Sequence, residues 1–234
     1  MSKQAVIVAS GGMDSATLAW HYAKEGYAVR LVGFDYGQRH RKELQALSVI
    51  ADRIGGRATI VPLDLREHLH GSALTSADVE VPDGHYAQET MKATVVPNRN
   101  AIMLSIATGI AVADGAEVVA TGVHAGDHFI YPDCRPAFFD PFAEAMEAAN
   151  DGFTVEGFRL QAPFISMSKA DIAAYGSSIG VDYSITWSCY KGGEVHCGRC
   201  GTCVERIEAF LDAGVEDPTE YADREFALAE IGRS

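Results

Sequence analysis

No stretch of this sequence is apolar for long enough to suggest a bilayer span. The longest run, Ala101 to Ala113, sits between Asn100 and Asp114 and is interrupted by Ser105, Thr108 and Gly109, and it falls short of the ~20 residues a span requires. Positive charge is scarce as well: 19 Lys and Arg stand against 32 Asp and Glu, a formal net charge of −13. A surface that tracks a phosphate backbone needs clustered Lys and Arg, so this balance argues against a nucleic-acid partner, though not against a local basic patch. Only five cysteines occur, four of them between positions 189 and 203, which suits a metal better than a disulfide framework. No internal repeat and no low-complexity linker stands out, and no leader is expected, since Met1-Ser2-Lys3-Gln4 runs straight into an apolar strand. A cytoplasmic location is the resulting expectation.

What is present fits one α/β unit with an appendage. The 234 residues are 47% hydrophobic, enough for a real core but not for two large domains. Ala5 to Ala9 reads as a buried strand, Ser10-Gly11-Gly12-Met13-Asp14-Ser15 as a tight loop, and the alanine- and leucine-rich residues beyond as a helix. Glycine lets such a loop turn sharply and approach a ligand, while the first N–H groups of the helix point outward with the positive end of its dipole. Ser10 and Ser15 add hydroxyl donors. Phosphate is the natural guest, yet no lysine follows the glycines as it does in G-x-x-x-x-G-K-[ST]. The alternative is a plain βα turn capped by Asp14 or Ser15.

Further along, helical patterns cover Ala16 to Glu25, Arg39-His40-Arg41-Lys42 to Ile54, Ala101 to Asp114 and Ala137 to Asn150, and another opens at Ser166 to Asp171. Strands are expected at Val29 to Phe34, Ala58 to Val61, Glu117 to Gly122 and Phe158 to Ala162. This alternation predicts a doubly wound parallel sheet covered on both faces. Polar residues gather after strand ends, at Asp35-Tyr36-Gly37-Gln38 and at Val123 to His128, where an open α/β sheet presents its ligand crevice. Residues Gly71 to Val95 show no clean period and are expected to form a mobile flap over the site.

Two cations could supply the charge that the loop lacks. Arg99 stands just ahead of a helix start and could reach a phosphate or a carboxylate, the alternative being capping and packing by Asn98 and Asn100. Lys169 follows Ser168, which is spaced from Asp171 as a capping box. A cation at a helix start calls for a nearby anion. Cys134, among Pro and Asp, is expected to line the site, with simple packing as the alternative.

Cys189, Cys197, Cys200 and Cys203 follow the spacing C-x7-C-x2-C-x2-C. Two-residue gaps with intervening glycine let sulfurs converge on one tetrahedral ion and free backbone N–H groups to bond the thiolates. Zn²⁺ fits best, an iron–sulfur cluster is the alternative, and His196 could replace one cysteine. Such a closed site is structural, clamping a helix over Cys203 to Ala213, and a last acidic helix is expected within Asp217 to Ile231.

Ser10 to Ser15, SGGMDS, resembles the SGGxDS loop of the ATP pyrophosphatases (PP-loop enzymes). With FDYGQRHRKEL (Phe34 to Leu44), VPNRN (Val96 to Asn100), YPDCRP (Tyr131 to Pro136), SKADI (Ser168 to Ile172) and TWSCY with the cysteines (Thr186 to Cys203), the ordered set resembles the 7-cyano-7-deazaguanine synthase family of queuosine biosynthesis. Two departures stand out: Asn98 replaces the glycine of VPGRN, and Asp127-His128-Phe129-Ile130 stands where D-x-S-G is common. Asn tolerates a left-handed backbone better than most residues, so the turn can survive.

The resemblance implies an adenine nucleotide α-hydrolase-like fold over residues 1–185 and a zinc-binding helical segment over 186–234. It further implies that 7-carboxy-7-deazaguanine and ammonia are converted to the nitrile through adenylated carboxylate and amide, with release of AMP and pyrophosphate. Nucleotide would be held by Ala9, Ser10, Gly11, Gly12, Met13, Asp14, Ser15, Ala16, Thr17, Leu18 and Ala19. Ser10, Asp14, Ser15, Arg99 and Lys169 are the candidate catalytic residues, Mg²⁺ would bridge phosphate oxygens with Asp127 as a partner, and a homodimer is implied. Two rival readings are a tRNA-modifying adenylase of thiolase or lysidine synthase type, which predicts a basic groove or an RNA-binding domain, and a non-catalytic zinc and nucleotide-binding module, which predicts ATP retention without turnover.

Overall fold

A computed structural model of the chain describes residues 3–38, 41–65, 68–69, 71–76, 78–85 and 89–232. Its strands are β1 (Gln4–Val8), β2 (Ala28–Asp35), β3 (Arg57–Pro62), β4 (Val118–Thr121) and β5 (Arg159–Gln161). All pair in parallel in the order β3-β2-β1-β4-β5. Ile7 lies beside Leu31 on one side and Ala120 on the other, and all three point into the same apolar layer. Val6, Val32 and Val119 point into the opposite layer. The period of two therefore buries both faces, and apolar β-branched residues fill the central strands.

Helices α1 (Met13–Lys24), α2 (Lys42–Arg53), α3 (Arg99–Asp114), α4 (Pro136–Ala149) and α5 (Lys169–Ser178) cover the sheet. Leu18, Leu47 and Ile172 bring α1, α2 and α5 onto one face; Leu104 and Phe139 bring α3 and α4 onto the other. The winding reverses between β1 and β4, which opens a crevice at their carboxyl ends. The expected doubly wound sheet is what forms. The helical stretch Met91–Asp114 reaches the length and hydropathy of a bilayer span. It is nevertheless interrupted around Pro97, and α3 lies on β1 and β4 with Ala107 and Ala111 fully buried.

Three segments differ from the sequence expectation. The start of the second helix at Arg39-His40 lies outside the described residues, and α2 is described from Lys42. The expected flap over 71–95 does not line the cleft where it is described. Ala73 and Val81 instead pack with Cys189, Cys200 and Cys203, Asp83 bridges to Cys200, and Gly84 N–H donates to Arg199 O at 3.0 Å. Part of the stretch is thus a strap around the cysteine segment, while Leu74 packs into the sheet core and Met91 behind Val123, Tyr131 and Cys134. The last helix, α7 (Arg224–Ile231), follows α6 (Gly201–Asp212) only after an extended stretch, because Asp217 is buried against Arg206 and Tyr221 bridges to His196.

Candidate active site and cysteine cluster

The cleft lies at the reversal point, between Val8, Ala9 and Ser10 after β1 and Thr121, Gly122 and Val123 after β4. Gly11 adopts φ +88°, and a Cβ there would stand 2.2 Å from the Glu43 carbonyl oxygen. Only glycine fits that approach. Ser15 Oγ donates to Gly12 O (3.1 Å) and accepts from Gly11 N–H (3.3 Å), while Gly12 N–H donates to Ser10 Oγ (3.3 Å). Gly12 is the N-cap of α1 and has no side chain to cap with. Neither Asp14 nor Ser15 serves as the N-cap, and the helix dipole opens onto the cleft. Met13, Ala16, Leu18 and Ala19, by contrast, are buried core residues, and Thr17 Oγ1 bonds Met13 O and Tyr183 Oη at 2.8 and 2.9 Å. The helical half of the Ala9 to Ala19 stretch thus supports the loop from behind.

Asp14 points into a charged cluster. Lys169 Nζ lies 3.3 Å from Asp14 Oδ2 and 2.6 Å from Glu205 Oε2. Burial opposes the lysine's charge, but Asp14, Glu205 and Asp127 outweigh it and hold the pKa above the usual lysine range. His124 Nδ1 accepts from Gly126 N–H (3.1 Å), which leaves the proton on Nε2, 3.6 Å from Asp127 Oδ2 and 3.9 Å from Asp14 Oδ2. Asp14 Oδ1 is buried and, among the described residues, has no hydrogen-bond partner. Asp127 anchors the turn by accepting from His124 N–H at 3.3 Å. The anion that Lys169 required at its helix start is therefore already supplied by the protein.

Arg99 is the first residue of α3, and Asn98 before it holds φ 59°, a left-handed turn that Asn tolerates better than most residues. The guanidinium lies over Tyr36 and Tyr131, 5.8 and 6.0 Å from their ring centres, and donates to Tyr36 Oη at 3.4 Å. Among the described residues it forms no ion pair with a carboxylate. Burial pushes the Tyr36 hydroxyl up to about 12 despite Arg99, so it stays a neutral donor. Asn98 makes no side-chain cap. Asn100 donates its backbone N–H to Asp133 Oδ2 and its Nδ2 to Cys134 Sγ at 3.0 and 3.1 Å. Cys134 lines the cleft, and burial raises its thiol above the ordinary range, which keeps it protonated and a poor nucleophile.

Sequence reasoning missed several cleft residues. Glu43 accepts from Gln38 Nε2 at 3.1 Å, and burial raises its carboxyl to about 7. Its sequence signal was a carboxylate among cations at a helix start. Glu205 sits on the buried face of α6, where a charge calls for a partner. Tyr36, Tyr131 and Tyr190 surround Arg99, and nothing local in the sequence marks them as a group.

The sulfurs of Cys189, Cys197, Cys200 and Cys203 lie within 4.8 Å of one another. The pairs Cys197–Cys203 and Cys200–Cys203 are 3.8 and 3.5 Å apart, near the ~3.8 Å edge of a tetrahedron with the usual zinc–sulfur bond. Arg199 and Cys200 N–H groups donate to Cys197 Sγ, each at 3.3 Å. The four can hold a metal ion. His196 is otherwise engaged: its Nε2 accepts from Ser188 N–H at 3.0 Å and its ring lies 4.2 Å from Trp187, with burial lowering its pKa to about 4. The segment also walls the cleft, through Trp187, Ser188, Tyr190 and Thr202.

A doubly wound parallel sheet, a glycine loop at its reversal point and a four-cysteine centre on the rim together define an α/β protein with a ligand cleft at its switch point. Residues 4–214 match the family described as Queuosine biosynthesis protein QueC, and the chain belongs to that family. A 7-cyano-7-deazaguanine synthase of Rhizobium rhizogenes is 58% identical over 222 residues, 94% of this chain and 93% of its own. One of Rhizobium meliloti is 57% identical over 230 residues, 97% and 95%. The 7-cyano-7-deazaguanine synthase 1 of Mesorhizobium japonicum is 54% identical over 228 residues, 97% of each. Among solved structures, an NMN synthetase of Francisella tularensis superposes over 100% of this chain and 85% of its own at 15% identity and TM-score 0.48, too distant to bear on activity.

Proposed function

We propose that the chain is an ATP-dependent ligase that turns 7-carboxy-7-deazaguanine and ammonia into 7-cyano-7-deazaguanine. The juxtaposition of a phosphate-type loop and Lys169 with an aromatic-lined Arg99 in one cleft supports this reading best. Substrate carboxylate, steered by Arg99, attacks the α phosphorus of ATP and pyrophosphate leaves. Ammonia attacks the acyl carbon, AMP leaves and an amide forms. The amide oxygen then attacks the α phosphorus of a second ATP and pyrophosphate leaves; departure of AMP with both N–H protons leaves the nitrile. Charge develops on phosphate oxygens at each adenylation, so positioning and preorganised donors dominate over side-chain nucleophiles. The Ser10 to Ser15 loop would cradle pyrophosphate, with Lys169 stabilising it.

The cluster around Lys169 carries three carboxylates against one lysine, which repels a polyanion unless a cation comes with it. The orphaned Asp14 Oδ1 fits that need: Asp14 and Asp127 would hold Mg²⁺, which would neutralise phosphate oxygens. The four cysteines would hold Zn²⁺ as a closed structural centre, since sulfurs within 4.8 Å suit one ion while a cluster spreads its thiolates over several irons. Residues 1–185 would carry the ATP chemistry and 186–234 the metal cap. We infer action in the cytoplasm, as a homodimer, on a free small molecule rather than tRNA, in keeping with the net charge of −13.

Pure protein incubated with ATP, Mg²⁺, ammonium and 7-carboxy-7-deazaguanine is expected to release AMP and pyrophosphate and to yield the nitrile by mass spectrometry. Release of ADP, or no nitrile, would refute the reading. Binding of tRNA at moderate salt would favour the tRNA-modifying alternative.

A further inference from the structure

We infer that Glu205 is the positioning residue for Lys169 and that α6 makes the cysteine centre the foundation of this pair. The inference rests on the proposed role of Lys169 at the phosphates. Lys169 is the first residue of α5, next to an N-cap Ser168 that accepts from Asp171 N–H at 3.1 Å. That end of a helix disfavours a cation, and the side chain is only 13% exposed. Two carboxylates offset both penalties, and they differ in what else they face. Asp14 belongs to the loop itself, and its buried Oδ1 has no hydrogen-bond partner among the described residues. Glu205 holds the ammonium more closely, 2.6 against 3.3 Å, and from a more buried position, 10% against 22% exposed. When phosphate and its cation engage Asp14, Glu205 is the partner that stays with Lys169.

Glu205 can do this because its helix is fixed at its origin. Cys200 is the N-cap of α6 and Cys203 lies in its first turn, so two of the four sulfurs set where α6 begins and how it is rotated. Glu205 follows two residues after Cys203, on a helix packed along α5. Gly126 leaves room for its carboxylate, since a Cβ there would stand 3.2 Å from Glu205 Oε1. The carboxylate thus meets Lys169 from a rigid element rather than from a loop, as a preorganised charge requires.

The test compares Glu205→Gln, Glu205→Asp and Lys169→Met in the full chain, each assayed for ATP-dependent AMP release, metal content and thermal midpoint. Glu205→Gln keeps the shape and loses the charge. It is expected to lower kcat by about tenfold or more while the KM for ATP stays within about threefold, the signature of an interaction felt in the transition state. Metal content is expected to stay at the unsubstituted value, while the midpoint falls only in part, because Lys169 keeps Asp14 as a partner. Glu205→Asp retains a charge on a shorter arm and is expected to regain part of kcat. Equal rates for the Gln and Asp variants, or unchanged kcat in Glu205→Gln beside an inactive Lys169→Met, overturn the positioning role alone. Wild-type AMP release by Lys169→Met overturns the role of the lysine itself and the positioning role with it.

Discussion

Trp187 donates its backbone N–H to the carbonyl oxygen of Gly11 at 2.9 Å, so the segment that carries the cysteines is bonded directly to the loop at the head of α1. These residues are far apart in the chain. The bond fixes the loop from its outer side while Glu43 closes on it from α2, where its carbonyl leaves no room for a side chain at Gly11. Lys42 lies over the Trp187 ring, 4.6 Å from its centre, and donates to Glu194 O at 2.9 Å, drawing α2 and the cysteine segment together. The phosphate-type loop is therefore gripped between two elements that sequence distance keeps apart.

Gly11→Ala is expected to fail on two counts: a left-handed φ of +88° and a 2.2 Å collision with backbone. Loss of stability on the order of 1–3 kcal/mol or more follows, together with loss of ATP turnover. Gly12→Ala meets nothing closer than Ser10 Oγ at 3.3 Å and keeps an ordinary extended φ of −77°, so about 1 kcal/mol or less is expected. Urea unfolding of the two variants checks the contrast, and equal losses would contradict it.

The sheet, the loop and the cysteine spacing were legible in the sequence because each is local. A β-branched run, two glycines and C-x2-C units declare themselves within a few residues. Asn98 could be read as a left-handed turn only through the resemblance to VPGRN. Long-range pairing was not legible. Lys169 could be seen to need an anion, but that Glu205 supplies it depends on how α6 packs on α5. Arg99 could be seen as a candidate, whereas its cage of Tyr36, Tyr131 and Tyr190 assembles from three separate segments. The stretch over 71–95 has no period because its apolar residues divide among the sheet core, the cleft wall and the cysteine segment, and a buried ion pair rather than a helix occupies Asp217.

Replacing Cys200 or Cys203 by Ser is expected to abolish metal binding, since the remaining sulfurs no longer close the site. The cleft wall at Trp187, Ser188 and Tyr190 should loosen with it, lowering thermal midpoint and ATP turnover together. Cys134→Ser is the control. Its thiol is held protonated, so metal content should be unchanged and turnover should stay within about threefold of wild type. Elemental analysis of the purified chains, about one metal per chain against none, decides the point.

Arg206 and Asp217 form an ion pair whose side chains are both fully buried, and Arg206 also donates to Thr186 Oγ1, Ser188 Oγ and Tyr183 O at 2.7, 3.3 and 3.2 Å. Removing the charge by Asp217→Asn is expected to cost about 3–5 kcal/mol at neutral pH, because a buried guanidinium is left uncompensated. Burial works against the Asp217 charge, but Arg206, Tyr221 and Thr219 hold its pKa below the usual carboxylate value. A depressed pKa contributes stability that is present above the unfolded value and lost as pH falls through the folded one. The gap between wild type and variant should therefore narrow below about pH 4. A gap independent of pH would show that lost packing, not charge, is responsible.

Glu43 carries the opposite sign. Burial raises its carboxyl to about 7, with Gln38 and Arg99 lowering it only in part, so the folded chain binds a proton that the unfolded chain releases above about pH 4. Stability then falls as pH rises from that value towards 7, and the loss persists at higher pH. Gln at position 43 can still accept from Gln38 Nε2 and never ionises. Glu43→Gln is therefore expected to exceed wild type little near pH 5 and by on the order of 1–3 kcal/mol more near pH 8. Because the carboxyl lies in the cleft, ligand that needs the ionised form should bind the variant more weakly at pH 8 but equally at pH 5. Urea midpoints and ATP binding at the two pH values separate the effects: a more stable variant that binds less well identifies Glu43 as a group kept for function at the expense of the fold.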